Sequence, residues 1–156
     1  MLGRSYEGQN CSAARALEAV GERWSLLIIR DALFGGITRF TDFQRSLGVA
    51  PNILATRLEN FVRDGLMEQR PQPDHPGQSE YVLTDKGRDL APVIIALGAW
   101  GDRWAAPDGP PVLYSHDRCR GHITPQLTCD GCGRLIQAGR VITHPGPGSR
   151  AQQPPD

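Results

Sequence analysis

RFTDFQRSLGVAPNILATRLENFVRDGLMEQR, residues 39–70, runs into PQPDHPGQS (71–79) and EYVLT (80–84), and this stretch decides the fold. Phe40, Phe43 and Leu47 recur at i, i+3 and i+7, with Asp42, Gln44 and Arg45 outside the stripe, so a short amphipathic helix is predicted over 40–47. Gly48 supplies a tight turn. Pro51 fits the first position of a second helix, where a missing N–H costs nothing. Leu54, Leu58, Phe61 and Val62 give that helix its core stripe, and Gly65 ends it in a left-handed residue. Leu66–Arg70 and Glu80–Leu83 read as two short strands. Pro71, Pro73, Pro76 and Gly77 lie between them, and proline blocks helix and interior strand alike, so 71–79 is predicted to project as a loop. Helix, turn, helix and a two-stranded wing together form a shape that fits duplex DNA.

The flanking sequence builds a support for this unit. Ala13, Ala16, Leu17 and Val20 fall on one face of a predicted helix over Ser12–Val20, which Gly21 ends. A second helix, about Trp24 to Phe34, carries Trp24, Leu27, Ile28 and Ala32, widened by Leu26, Ile29 and Leu33. A helix apolar nearly all round is expected at the centre of the core. After Thr84, a cap residue, a long helix is predicted from about Asp85 to Trp104, with Leu90, Val93, Ile94, Leu97, Trp100 and Trp104 in helical period. Pro92 should kink or divide it. It has more apolar surface than one small domain needs, which points to a partner subunit. The expected fold is mainly α (α+β). Residues 1–104 form the folded domain, APDGPP near 105–111 a linker, 112–142 a small Cys/His-containing tail, and 143–156 a disordered end.

Composition sets bounds on function. Seventeen basic and seventeen acidic residues cancel, and residues 36–70 carry five Arg against four acids, so long-range steering toward DNA should be modest. Four cysteines are too few for a disulfide scaffold. The longest apolar run, LLIIRDALF from Leu26, is interrupted by Arg30 and Asp31 and too short to span a bilayer, and MLGRSYEGQN has no apolar leader segment. A cytoplasmic protein with no membrane partner is expected. No Gly-rich phosphate loop and no nucleophile–base–carboxylate set stands out, which argues against an enzyme.

On the second helix of the motif, the faces turned from Leu58 hold Asn52, Thr56, Glu59, Asn60 and Arg63. Recognition helices read bases with their N-terminal turns, which selects Asn52 for adenine and Thr56 for a thymine methyl or a phosphate. Arg57 on the flank suits a backbone phosphate. Arg39 joins the candidate contacts, and on the wing Arg70, His75, Gln78 and Ser79 can touch phosphate or the minor groove. The competing readings are a winged-helix protein-interaction module and a CxxC thiol oxidoreductase, though no CxxC here follows a βαβ pattern.

From Cys11 to Gly101 the sequence resembles the HxlR-type winged helix-turn-helix transcription regulators. The resemblance is carried by Cys11 with ARAL (14–17), GERW (21–24), LLIIRDALFG (26–35), RFTDFQRSL (39–47), APNILATRL (50–58), DGL (64–66), EYVLTDKG (80–87) and LAPVIIALGAWG (90–101). It implies a homodimer with the first and last helices at the interface, bound to palindromic operator DNA with one recognition helix per half-site. It implies no cofactor for DNA binding. A small-molecule effector in the dimer cleft is one expected signal. Three positions depart from the family pattern. Ala50 stands where a capping Ser is usual, Asn52 where a basic residue is common, and Gln78 where Arg is frequent. Each removes charge or a cap near DNA, so weaker non-specific affinity and a different half-site are expected.

Cysteine spacing raises two further expectations. Cys11 stands just before the first helix, where a thiol can have a lowered pKa, and some proteins of the family it resembles sense quinones, aldehydes or oxidants with a cysteine here. Its alternative role is a small buried residue at the dimer interface. In the tail, Cys119-x2-His122-x6-Cys129-x2-Cys132 offers four zinc ligands in two x2 pairs, with His116 able to replace His122. Such a zinc would be structural, since four protein ligands leave no open position.

Overall fold

The computed structural model describes residues 5–73 and 75–149. Helix α1 spans Ser12–Val20, α2 Ser25–Phe34, α3 Phe40–Leu47 and α4 Pro51–Arg63. Strands β1 (Met67–Gln72) and β2 (His75–Leu83) follow, then α5 (Asp85–Arg88), α6 (Ala91–Trp104) and a 3-10 turn over Ala138–Arg140. This is the winged helix-turn-helix expected, with β1 and β2 antiparallel.

The core forms where the apolar stripes of α2, α3 and α4 meet. Ile28, Ile29, Phe43, Leu54, Leu58 and Phe61 are buried there, closed below by Leu66, Met67 and Leu83 of the wing base and by Ile94 of α6. The turn between α3 and α4 needs Gly48, whose φ of 62° lies in the left-handed region. Gly87 answers a different need. A Cβ there would stand 2.2 Å from the Leu66 carbonyl oxygen, so only glycine lets α5 close on the wing base. Thr84 caps α5 by accepting from the Gly87 N–H at 3.2 Å, and its hydroxyl donates to the Gly65 carbonyl at 2.7 Å. The C-terminal helix divides before Pro92, which falls in the first turn of α6, where proline is tolerated.

The wing departs from expectation. Residues 71–79 are not a projecting loop, because Pro71 pairs with Ser79 and Gln72 with His75 across a bulge. A two-stranded ribbon has only edge strands, so its prolines can turn their N–H-less side to solvent without losing a ladder bond. The ribbon also gains a third member. The Tyr81 N–H donates to the Thr38 carbonyl at 2.7 Å, and Arg39 bridges to Glu80. Residues just before α3 thereby tie the helix-turn-helix to the wing.

The outer helices bury less than their stripes suggest. On α1 only Ala14 and Val20 are buried, and Ala13, Ala16 and Leu17 are exposed. On α6 only Ile94 is buried; Leu97, Trp100 and Trp104 are 51%, 62% and 65% exposed. The linker leads the tail back onto α2 and α6, where the Tyr114 ring packs against Phe34 with centroids 4.9 Å apart and planes tilted by 59°. The expected disordered end, 143–156, is only partly within the described residues. Residues 143–149 hold no helix or strand, although the Gly148 carbonyl accepts from the Asn10 side chain at 3.1 Å, and 150–156 lie outside the described residues.

Candidate nucleic-acid interface

Helix α4 presents its N-terminal turns to solvent. Pro51 starts it, and Ala50 at the cap position makes no side-chain capping bond. The first turn is held by packing of Leu54 and Leu58 and by the Ile53 and Leu54 N–H groups, which donate to the Ala50 carbonyl at 3.0 and 3.1 Å. Asn52, Ile53 and Thr56 are exposed on this end. The Thr56 hydroxyl donates to the Asn52 carbonyl at 2.9 Å, which occupies its proton and leaves its methyl and lone pairs for an outside partner. Ile53, which the sequence reading did not single out, is an exposed apolar side chain next to Asn52 and outside the core stripe. Asn60 lies further along and accepts from Arg63 at 2.8 Å.

Arg57 is turned away from this face. Its side chain is 15% exposed and its guanidinium is held by Glu22 at 2.9 Å, so it ties α4 to the loop before α2 and does not reach outward as expected. Its Nε is buried without a partner. Periodicity puts Arg57 on a flank, but the glutamate 35 residues earlier in the chain decides which way it points.

The other arginines near the face are paired on the surface. Arg45 meets Asp42 at 3.0 Å, Arg63 meets Asp64 at 2.9 Å and Arg70 meets Glu68 at 2.7 Å. Exposed pairs of this kind contribute about 0–1 kcal/mol and open readily to a phosphate. Arg39 is exposed and forms no ion pair among the described residues. It borders a 250 Å³ cleft between the start of α3 and the wing, shared with Gln78, Ser79 and Tyr81, and an open groove that includes Arg45 on its other side. Burial, and then the nearby Glu59 carboxylate, push the Tyr81 phenol up. His75 and Gln78 are exposed along the wing and Ser79 is half-buried. The structure thus brings Arg39, Gln78 and Ser79 together and sets Asn52 and Thr56 on α4.

Cys11 is exposed at the N-terminal boundary of α1. The backbone N–H groups of Ala14 and Ala13 are aimed at its sulfur, short of a closed capping bond, and with the charge of Arg15 they hold the thiol below its ordinary pKa. It borders a cleft with Arg15 and residues 144–149.

The four expected zinc ligands, Cys119, His122, Cys129 and Cys132, do not come together. Among the described residues, no three His, Cys, Asp or Glu side chains gather around one point. The imidazole against Cys119 is that of His116, with Nδ1 3.2 Å from Sγ. His122 instead lines a cleft against α6 with Asp102 and Arg103. Cys129 has the N–H groups of Cys132 and Gly131 and the Cys132 side chain directed at its sulfur, and these hold its thiol below the ordinary range.

Comparison with known proteins matches this geometry. The family model for the HxlR-like helix-turn-helix covers residues 19–109. An uncharacterized HTH-type transcriptional regulator of Mycobacterium bovis, Mb3122, is 43% identical over 152 residues, covering 97% of this chain and 94% of that protein. The crystal structure of PA1607, described as a candidate transcription factor, is 38% identical with a TM-score of 0.79, covering 89% of this chain and 97% of that one. The reduced form of the transcriptional regulator YodB from B. subtilis is 30% identical with a TM-score of 0.52, covering 64% of this chain and 98% of that one. The chain belongs to the HxlR-like helix-turn-helix family and is a transcription regulator of the helix-turn-helix type.

Proposed function

We propose that the chain binds operator DNA as a homodimer, laying one α4 into the major groove of each half-site. The carrying observation is the exposed N-terminal end of α4, supported by Arg39 at the cleft between α3 and the wing, an exposed arginine without a carboxylate partner among the described residues. Asn52, Ile53 and Thr56 read base edges, Arg39 holds a phosphate, and Arg70, His75, Gln78 and Ser79 follow the backbone or the minor groove. The regulator is cytoplasmic and needs no cofactor to bind DNA. No helix among the described residues is long and apolar enough to cross a membrane. The test is selection of genomic fragments by the purified chain, followed by titration of two variants at several salt concentrations. Asn52→Ala should lose about 1–3 kcal/mol of discrimination at one base pair. Arg39→Ala should weaken all sequences alike and reduce the salt slope by about one. Equal affinity of the native chain for selected and random DNA rejects the reading.

A second observation supports a signal input at Cys11. Its thiol is exposed, is held toward the thiolate and borders a cleft. We infer that it adds to electrophiles such as quinones. The sulfur forms a C–S bond to the ring and the ring takes up a proton, leaving a thioether hydroquinone with no second oxidant. Mass spectrometry after quinone treatment tests this, and an unmodified Cys11 with unchanged DNA binding sinks it. A small molecule in the cleft between protomers is the alternative effector.

A further inference from the structure

The tail contains the same hairpin twice. In the first, the His116 N–H donates to the Gly121 carbonyl at 2.9 Å, the Arg120 N–H to the His116 carbonyl at 2.9 Å, and the Ile123 N–H to the Tyr114 carbonyl at 2.9 Å. In the second, Cys129 donates to Arg134 at 3.0 Å, Gly133 to Cys129 at 2.8 Å and Ile136 to Leu127 at 2.8 Å. Each bond of the second is a bond of the first moved by 13 residues, from 116 to 129, 120 to 133 and 123 to 136. The isolated bridges obey the same shift, Ser115 with His122 and Thr128 with Leu135. So does the backbone, with a left-handed residue at Arg120 (φ 60°) and at Gly133 (φ 68°). Arg120 is one of two non-glycine residues with positive φ among those described, so the first hairpin keeps this turn against side-chain preference.

Superposing the hairpins by this shift places His116 on Cys129 and Cys119 on Cys132. Each turn therefore presents two metal-binding side chains at i and i+3, and His122 corresponds to Leu135, which cannot ligate. We propose that the tail is a two-knuckle structural zinc module whose ligands are His116, Cys119, Cys129 and Cys132. In a tetrahedral site with ordinary Zn–S and Zn–N bonds, the S···N edge is about 3.6 Å. The His116 Nδ1 to Cys119 Sγ separation of 3.2 Å is already close to that edge. The other ring nitrogen, Nε2, lies 3.4 Å from the Asp117 carboxylate, the outer partner that orients a ligating imidazole.

The two pairs stand apart here, and residues 123–127 between the hairpins form no helix or strand, so binding draws the hairpins together through a short irregular link. Something has to do so if the tail is to form a stable unit. Val112, Leu113, Leu127 and Leu135 are all exposed, and a segment this small cannot fold by burial alone. The likeness to PA1607 and Mb3122 extends past residue 109 into this tail.

Metal content of the full-length chain, purified without added metal and again after dialysis against zinc sulfate, tests this. About one zinc per chain is expected in both. His116→Ala should lower the affinity at least tenfold, and His122→Ala should leave it unchanged. Cobalt substitution should show thiolate-to-metal charge transfer that falls by a third in Cys129→Ser. Trypsin should cut at Arg118, Arg120 and Arg134 only after chelation. Less than about a tenth of an equivalent after zinc dialysis overturns the site. Loss of metal in His122→Ala with retention in His116→Ala overturns the ligand set. None of these readouts depends on DNA binding.

Discussion

Arg57 and Arg39 are both single positive charges near the proposed DNA face, and their surroundings differ. Arg57 is a tether, largely buried against Glu22. Arg57→Ala should cost about 1–2 kcal/mol of stability in denaturant unfolding, through lost packing as much as lost charge. The folded fraction of that variant should keep more DNA affinity than Arg39→Ala. Cys11 is the other residue whose chemistry is set locally. Backbone N–H groups and Arg15 stabilise its thiolate, and the thiolate is the reacting form. Alkylation of Cys11 should therefore rise with pH to a midpoint below that of an ordinary cysteine. A midpoint at or above the ordinary value, read by mass spectrometry across a pH series, contradicts this.

At the scale of elements, α4, the proposed recognition helix, starts without a side-chain cap. Ala50 has extended backbone angles suited to a capping residue and only a methyl to offer. Ala50→Ser should stabilise the domain by about 1 kcal/mol, seen as a rise of about 4–8 °C in Tm, without changing the preferred sequence. The wing is the second element with a particular economy. Its prolines are accommodated because both strands are edges, and Thr38–Arg39 dock on β2. This docking sets where Arg39 stands relative to Gln78 and Ser79, so the wing positions the arginine proposed to hold a phosphate.

For the whole molecule, the exposed apolar surface matters most. Val93, Leu97, Trp100 and Trp104 follow one another at four, three and four residues along α6, all exposed, and Leu17 of α1 is exposed as well. A stripe of this kind suits the helix–helix contact of the proposed dimer. Leu97→Asp with Trp100→Asp should give a monomer in sedimentation velocity with the domain fold intact. DNA affinity should then fall by far more than any single contact accounts for, because the two half-sites are no longer linked. A dimer that survives both substitutions places the interface elsewhere.

Helix boundaries, the glycine turn at Gly48, the start at Pro51 and the division at Pro92 follow from the sequence alone, because helical period, capping and backbone freedom act between residues a few positions apart. The wing's strands were visible and their reach was not, since proline's effect depends on whether a neighbour strand needs its N–H. The same limit governs the site. Asn52 and Thr56 could be placed by angle around α4, whereas the inward turn of Arg57 depended on Glu22, and the docking of Arg39 on Glu80 and Tyr81. In the tail, spacing marked the candidate metal ligands, but the proposed choice of His116 over His122 rests on the repeated hairpin. Partners far apart in the chain meet only when the core assembles, and it is their charges and hydrogen bonds that settle which way each side chain points.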